Sequence, residues 1–181
     1  MTSREQTWLN QNESDASLEK DKKKYLQFGK YTQDCPPWLL EKVAAIDKAK
    51  IDQAYIEKVL WAIVDEFNPQ KHQTTSTKDI KKSRLITVRE ILEKRQTSCG
   101  SQASVVAAVL RNLKIPTKLI HGMYIDDTTR MYHAWNEVLI NNKWVPFDIT
   151  NPRDNFKINK SHIKKLEALD WSEFEKKADT F

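Results

Sequence analysis

The chain has 181 residues, of which 39% are hydrophobic and 30% are charged, and its formal net charge is +5. This length and composition predict one water-soluble, globular domain with a sizeable core, and they exclude a disordered chain. No apolar run approaches the roughly 18 residues that span a bilayer, and the polar N-terminus shows no secretory signal. We therefore expect no membrane partner and a cytoplasmic protein, or a secreted one if a signal has been removed.

Residues 1–35 are polar and rich in lysine, and their weak periodicity predicts a loosely packed N-terminal arm before a single domain over residues 36–181. The stretch CPPW at 35–38 favours the first turn of a helix, because proline is tolerated there and not in a helix interior. From Ile56 to Phe67 the apolar residues recur with the spacing of a helix buried along one face. Trp61 lies within this pattern, so we expect it to pack in the core.

Residues 70–84 are polar and predict a loop. Thr87 and Glu90 have the spacing of a capping box, which predicts a short helix directly after Thr87. A further helical pattern, with an apolar stripe, begins at Cys99 and ends before Pro116.

After Pro116 the spacing of the apolar residues changes from that of a helix to that of a strand. Residues 117–124, 130–140 and 144–149 alternate like β-strands and are separated by turn-forming residues. Beyond Pro152 the sequence is polar again until a last amphipathic segment, which contains Ile163, Leu166, Leu169 and Trp171. Helices followed by an antiparallel sheet predict an α+β fold.

The second and third predicted strands bring a histidine and an aspartate together. Because side chains alternate along a strand, His133, Trp135 and Glu137 share one face of the sheet. A two-residue turn at 141–142 places Trp135 opposite Asp148, and His133 about 7–8 Å from Asp148 on the same face. A carboxylate among apolar residues needs a partner, so we expect Asp148 to pair with His133. The alternatives without a catalytic role are that His133 is a sheet residue whose hydrogen bonds are made within the fold, and that Asp148 forms a turn at the end of the strand.

Cys99 stands at the start of a helical pattern, where unpaired N–H groups and the helix dipole favour a thiolate. Taken alone, it fits a small buried residue of a core helix. With His133 and Asp148 it has the partners of a nucleophile, and we expect an imidazolium–thiolate pair. The other cysteine, Cys35, is too far away in the sequence to form a CxxC redox pair with Cys99. A single disulfide between Cys35 and Cys99 is the alternative to a free thiol at Cys99.

No cofactor or metal is expected, because the four histidines show neither an HExxH motif nor zinc-ligand spacing. The lysine runs are typical of a solvated face. Clustered arginines or interleaved aromatic residues, which mark nucleic-acid surfaces, are missing, so we expect no nucleic-acid partner.

Three segments within residues 85–152 resemble the motif blocks of the transglutaminase-like superfamily of papain-fold thiol enzymes: SCGSQASVVAAVLRNLKIPTKLIHG, YHAWNEV and WVPFDITNP. The resemblance implies a papain-like core with N-terminal helices, a catalytic helix and an antiparallel sheet. It also implies that Cys99 is the nucleophile, His133 the base and Asp148 the residue that orients the base. Family members often have glycine at the positions of Thr97 and Lys114. These two departures affect the backbone conformation of the loops and not the chemistry.

The implied reaction is acyl transfer from an amide of a protein or peptide substrate through a thioester. We expect hydrolysis, as in a cysteine peptidase or amidase, because transamidation requires a site that excludes water. Crosslinking of glutamine to a lysine amine and a non-catalytic interaction module are the alternatives. We expect Trp135 to line the substrate cleft, the N–H of Cys99 to stabilise the oxyanion, and His121 and Cys35 to be structural. The sequence does not determine the oligomeric state.

Overall fold

The computed structural model describes residues 15–67 and 86–173. Within these ranges, helices and then a four-stranded antiparallel sheet follow one another, which confirms the predicted α+β fold. The helices span Asp15–Tyr25 (α1), Pro37–Ala44 (α2), Gln53–Glu66 (α3), Val88–Glu93 (α4) and Cys99–Asn112 (α5), and the strands span Thr117–Ile125 (β1), Arg130–Ile140 (β2), Lys143–Phe147 (β3) and His162–Ala168 (β4). The loop predicted at 70–84 lies outside the described residues. None of the described helices has the length and apolar character needed to cross a membrane.

The predicted helix starts are confirmed. Pro37 occupies the first turn of α2, and the N–H of Glu90 reaches Oγ1 of Thr87 at 3.4 Å in a complete capping box at α4. The expectation for Trp61 is wrong, because this side chain is 48% exposed on α3, where its ring makes an edge-type contact with Phe156 at 5.1 Å. The buried stripe of α3 passes on either side of Trp61, through Leu60 and Ile63.

Helix α5 occupies the centre of the fold and is buried from Ala103 to Arg111. One side packs against α2, α3 and α4 in the larger hydrophobic core. On the other side, Ala103 and Ala107 pack against the sheet at Leu119 and Ala134. Small alanine side chains allow this close approach, and the N-terminus of α5 therefore meets the middle of β2.

The end of α5 shows why glycine is common at the position of Lys114 in the family that the sequence resembles. Lys114 adopts a left-handed conformation with φ 63°, and the N–H of the following Ile115 bonds to the carbonyl oxygen of Leu110 at 2.9 Å. Helices commonly end with a left-handed residue, and glycine is favoured there because it lacks a Cβ atom. Lys114 therefore adopts the backbone conformation that glycine favours.

The sheet has the strand order β3-β2-β1-β4. Strands β2 and β3 pair from Asn136↔Phe147 to Ile140↔Lys143, and Asn141 and Asn142 turn between them with φ 50° and 61°. The predicted two-residue turn and its register are therefore confirmed.

The last amphipathic segment forms strand β4, although the three-residue spacing of Ile163, Leu166 and Leu169 resembles that of a helix. It pairs with the free edge of β1. Lys164 reaches across β1 and forms an ion pair with the buried Glu137 of β2 at 2.8 Å. Pairing with a sheet edge thus overrides the local pattern, because it satisfies the backbone groups of β1 and pairs the carboxylate of Glu137.

The expectation of a loosely packed arm is wrong for residues 15–35. Tyr25 and Tyr31 are buried, and the ring of Tyr25 packs edge-on against Trp144 of β3. Asp21 forms an ion pair at 3.1 Å with Lys118, on the sheet face opposite α5. A few apolar residues placed one helical turn or more apart are enough to attach this polar stretch. The domain boundary between residues 35 and 36 stays a prediction.

Candidate active site

The thiol of Cys99 lies at the N-terminus of α5. Ser98 caps the helix, and its Oγ accepts a hydrogen bond from the N–H of Ser101 at 3.2 Å. The predicted position of Cys99 in a first helical turn is therefore confirmed. Because the first N–H groups of a helix have no partner within it, this position stabilises negative charge on the sulfur.

The predicted pair of His133 and Asp148 is present. Nε2 of His133 lies 2.8 Å from Oδ2 of Asp148, and both side chains are buried. The hairpin produces this contact, since β3 ends at Phe147 and the two-residue turn fixes which residues face one another across β2 and β3.

The imidazole of His133 also acts on the thiol of Cys99, which links the three side chains electrostatically. Since Nε2 faces Asp148, Nδ1 is the ring nitrogen left for the thiol. Burial by itself raises the pKa of the Cys99 thiol. The hydrogen bond and charge of His133, with the N–H groups of Ala134 and Gly100, outweigh burial and lower that pKa below its usual value.

The pKa values of the other two groups support the same charge state. Burial lowers the pKa of His133, but its hydrogen bonds with Asp148 and Cys99 outweigh burial and raise it to about 9. Burial raises the pKa of the Asp148 carboxyl, but hydrogen bonds from His133, His162 and Thr150 hold it well below its usual range. These directions favour a thiolate, an imidazolium and a carboxylate near neutral pH.

Asp148 accepts four hydrogen bonds through its carboxylate. Oδ2 accepts from Nε2 of His133 at 2.8 Å and from Nε2 of His162 at 3.2 Å. Oδ1 accepts from the N–H and the hydroxyl of Thr150, at 2.9 and 2.7 Å. The N–H of Asp148 donates to the carbonyl oxygen of Phe156 at 2.8 Å, so both ends of the residue are fixed.

No motif in the sequence indicates a role for His162. This residue begins β4, pairs with Tyr124 and is buried, and its Nδ1 lies 3.2 Å from the backbone nitrogen of Asn159, which donates to it. Only the pairing of β4 with β1, which are far apart in the chain, brings His162 to Asp148. The sequence around His162 carries no local signal for this contact.

The expectation that Trp135 lines the substrate cleft is wrong for this structure, because the side chain is 0% exposed. Its ring lies 6.1 Å from that of His133 and packs edge-on against His162 at 5.5 Å. A Cβ atom added at Gly122 would collide with the Trp135 ring and with the carbonyl oxygen of Ile163, so only glycine fits beneath this ring. Trp135 therefore supports the two histidines from within the fold.

The remaining candidates are separate from the thiol. Cys35 and Cys99 are both free, so the alternative of a disulfide between them is not formed. Burial and the neighbouring charge of Asp34 raise the pKa of Cys35 to about 12. His121 is half-buried and stacks on Tyr132 at 5.5 Å, and burial lowers the pKa of its imidazole.

His133, Asp148 and His162 have the donor types of a transition-metal site, with ligand atoms within 4.8 Å of one another. In this structure hydrogen bonds join them instead. Because a carboxylate only accepts, each Nε2 carries the proton that it donates to Oδ2 of Asp148, and that proton occupies the lone pair that a metal would require. We therefore describe the cluster as a hydrogen-bonded network.

The chain matches a family model and is similar to a solved structure. The model of the transglutaminase-like superfamily matches residues 44–149. No curated protein matches the chain. Among solved structures, the chain is similar to a candidate cysteine protease from Cytophaga hutchinsonii, with a TM-score of 0.47 and 14% identity over 84% of this chain. The match spans 54% of that protein, which is about half of its length.

Proposed function

The chain belongs to the transglutaminase-like superfamily, whose model matches more than half of it, and from this premise we propose that it is a thiol enzyme that hydrolyses amide bonds in peptides or proteins. Cys99 acts as the nucleophile, His133 as the general base and acid, and Asp148 as the group that orients His133. The observation that carries the proposal is the 2.8 Å bond between His133 and Asp148, together with the lowering of the pKa of the Cys99 thiol by His133.

The reaction begins when the thiolate of Cys99 attacks the carbonyl carbon of an amide and the C=O electron pair moves to oxygen. The N–H of Cys99, at the first position of α5, stabilises that oxyanion. Collapse of the intermediate breaks the C–N bond, and the imidazolium of His133 gives its proton to the leaving amine. The neutral His133 then takes a proton from water, which attacks the thioester, releases a carboxylic acid and restores the thiolate–imidazolium pair.

Asp148 keeps the imidazole in the useful tautomer. Its carboxylate accepts from Nε2, so the proton that His133 transfers is carried on Nδ1, towards the sulfur. The bonds from Thr150 and His162 prevent the carboxylate from rotating away. His162 is a positioning residue in this scheme, because it contacts Asp148 and not the reacting atoms.

Partial exposure of the thiol supports hydrolysis rather than transamidation. Cys99 is partly exposed. Access of water to this position favours hydrolysis of the thioester, whereas transfer to an amine requires that water be excluded.

The test incubates the full chain with denatured casein and a millimolar biotin-linked primary amine, and compares it with the Cys99→Ala variant. We expect new peptide N-termini that depend on Cys99, with little biotin in the products. Products labelled mainly with biotin would make the protein a transglutaminase. Absence of both products, together with slow iodoacetamide labelling of Cys99, would instead identify a non-catalytic interaction module.

A further inference from the structure

A cavity of about 580 Å³ lies at the end of the sheet that α5 leaves uncovered. Met123 of β1, Arg130 and Tyr132 of β2 and Lys165 of β4 are among its lining residues, and we call it the basic groove. Its volume falls within the range of about 300–1,000 Å³ that is typical of ligand clefts.

Strand register places the basic groove next to Cys99. Ala134 pairs with His121, and Tyr132 pairs with Met123 one position further along the same sheet face. Cys99 packs against the small apolar cluster that contains Ala134. His121 also lines the groove, so the groove begins where the N-terminus of α5 meets the sheet and continues along it to Tyr132 and Met123.

A row of aromatic rings connects the groove to the first turn of α5. Tyr132 stacks on His121 at 5.5 Å, and His121 contacts the edge of Trp171 at 6.3 Å. Trp171 covers Gly100, where an added Cβ atom would lie 2.9 Å from the indole ring. A ligand in the groove would thus lie on a surface that continues to the residue after Cys99.

Exposed apolar side chains lie in and around the groove. Three of the six large apolar side chains that are exposed among the described residues lie at this corner of the sheet: Met131, Tyr132 and Ile163. Ile163 pairs with Met123 and extends the apolar surface onto β4. Exposed apolar side chains that form one patch are typical of binding surfaces, whereas isolated ones are not.

Charge distinguishes the groove from an ordinary apolar patch. Arg130 and Lys165 contribute positive charge, and no acidic side chain is among the lining residues. The acidic residues nearest in sequence to Arg130, Asp126 and Asp127, belong to the turn between β1 and β2, and Glu167, near Lys165, forms an ion pair with Lys164 at 2.8 Å. Oδ1 of Asp126 is bound to the N–H groups of Thr128 and Thr129 within that turn.

We propose that the basic groove binds the acyl side of an extended peptide substrate that carries a large apolar side chain and, beyond it, an aspartate or glutamate. On one sheet face, Tyr132 and Arg130 lie about 7 and 14 Å from Ala134, because a strand rises about 3.4 Å per residue. The apolar residue and the carboxylate of an extended peptide therefore lie about two and four residues from the carbonyl that Cys99 attacks. This inference rests on the proposed function.

The test uses two peptidyl acyloxymethyl ketones that differ only in Glu or Lys at the position four residues from the reactive carbon. Sγ of Cys99 displaces the carboxylate leaving group and forms a thioether, so the rate of inactivation reports binding at the acyl side. We expect the Glu reagent to react at least tenfold faster than the Lys reagent. In the Arg130→Glu/Lys165→Glu variant, we expect this preference to disappear or reverse.

Two controls separate this inference from the proposed function. The Lys48→Glu/Lys50→Glu variant makes the same change in net charge at exposed residues between α2 and α3, and we expect it to retain the preference for Glu. Iodoacetamide, which is small and uncharged, should label Cys99 equally fast in all three proteins. Equal rates for the two peptide reagents, with fast iodoacetamide labelling, would overturn the groove alone, whereas slow iodoacetamide labelling in the parent protein would overturn the proposed function.

Discussion

Cys99 and Cys35 are two partly buried cysteines close to helix N-termini, yet their electrostatic environments are opposite. Burial is the largest influence on each thiol, and it raises the pKa of both. At Cys35 the carboxylate of Asp34 adds to burial, and the pKa rises to about 12. At Cys99 the imidazole of His133 outweighs burial, and the pKa falls. Neighbouring charge therefore distinguishes the two thiols, and depth of burial does not.

The two cysteines also differ in their position relative to the N-terminus of the nearby helix. Cys99 is the first residue of α5, whereas Cys35 precedes Pro36, the N-cap residue of α2. Pro36 and Pro37 have no N–H to offer. A helix N-terminus stabilises a thiolate only when its N–H groups are present and directed at the sulfur.

The largest expected effect comes from removing the imidazole. In a His133→Ala variant, Cys99 keeps its burial and loses the hydrogen bond and charge that lower its pKa, so its reactivity approaches that of Cys35. We expect the rate of iodoacetamide labelling at pH 6 to fall about 100-fold. Peptide mapping by mass spectrometry measures both cysteines in one sample, and Cys35 serves as the internal control. Equal labelling of parent and variant at Cys99 would contradict the ion pair.

Replacing the carboxylate should have a smaller effect. In Asp148→Asn, the two bonds from Thr150 hold the amide oxygen in the place of Oδ1, and the amide NH₂ group then faces the two Nε2–H donors. Loss of a hydrogen bond to a charged group costs about 1.5–3 kcal/mol, which lowers turnover roughly 10- to 150-fold.

The pH profile provides a second readout for Asp148→Asn. His133 has a raised pKa, so its proton is present at low pH and is lost as the pH rises through about 9. Because the leaving amine needs this proton, kcat/KM should fall above that pH in the parent protein. Without the carboxylate, we expect this alkaline limb to move to lower pH by roughly one to three units. An unmoved limb would show that Asp148 does not act on His133.

The smallest expected effect concerns His162. A His162→Ala variant removes one N–H donor from Asp148 and should lower turnover roughly fivefold, which corresponds to about 1 kcal/mol. A His162→Gln variant retains an N–H donor, and we expect its turnover to lie within about twofold of the parent. Thermal unfolding of both variants provides the control, because a purely structural role would lower turnover in step with stability and would show no rescue by glutamine.

Much of the site follows from local sequence. Cys99 begins a helix because Ser98 is a good N-cap, and Pro116 prevents the helix from continuing. His133 and Asp148 meet because two asparagines that tolerate positive φ form a two-residue turn, and strand alternation then fixes which side chains face one another. Each of these relationships spans few residues, so the pattern alone predicts it.

Other features follow only from contacts between distant segments. The segment with Ile163 and Leu166 becomes a strand because β1 offers an unpaired edge, and the expected cleft residue Trp135 is buried because Gly122 leaves room for its ring. Residues 15–35 pack on the fold through contacts such as that of Tyr25 with Trp144, which no local pattern indicates.

The sequence by itself therefore determined the α+β class, the helix that carries Cys99 and the hairpin that pairs His133 with Asp148, because short-range periodicity, capping and turn geometry control these elements. Only the tertiary structure decided that His162 binds the same carboxylate oxygen and that an exposed basic groove begins beside the thiol. The first feature depends on the docking of β4 against β1, and the second on the pairing of β1 with β2 and, through Lys165, with β4. Such pairing is selected by the burial and hydrogen bonding of the whole sheet rather than by the preferences of either strand.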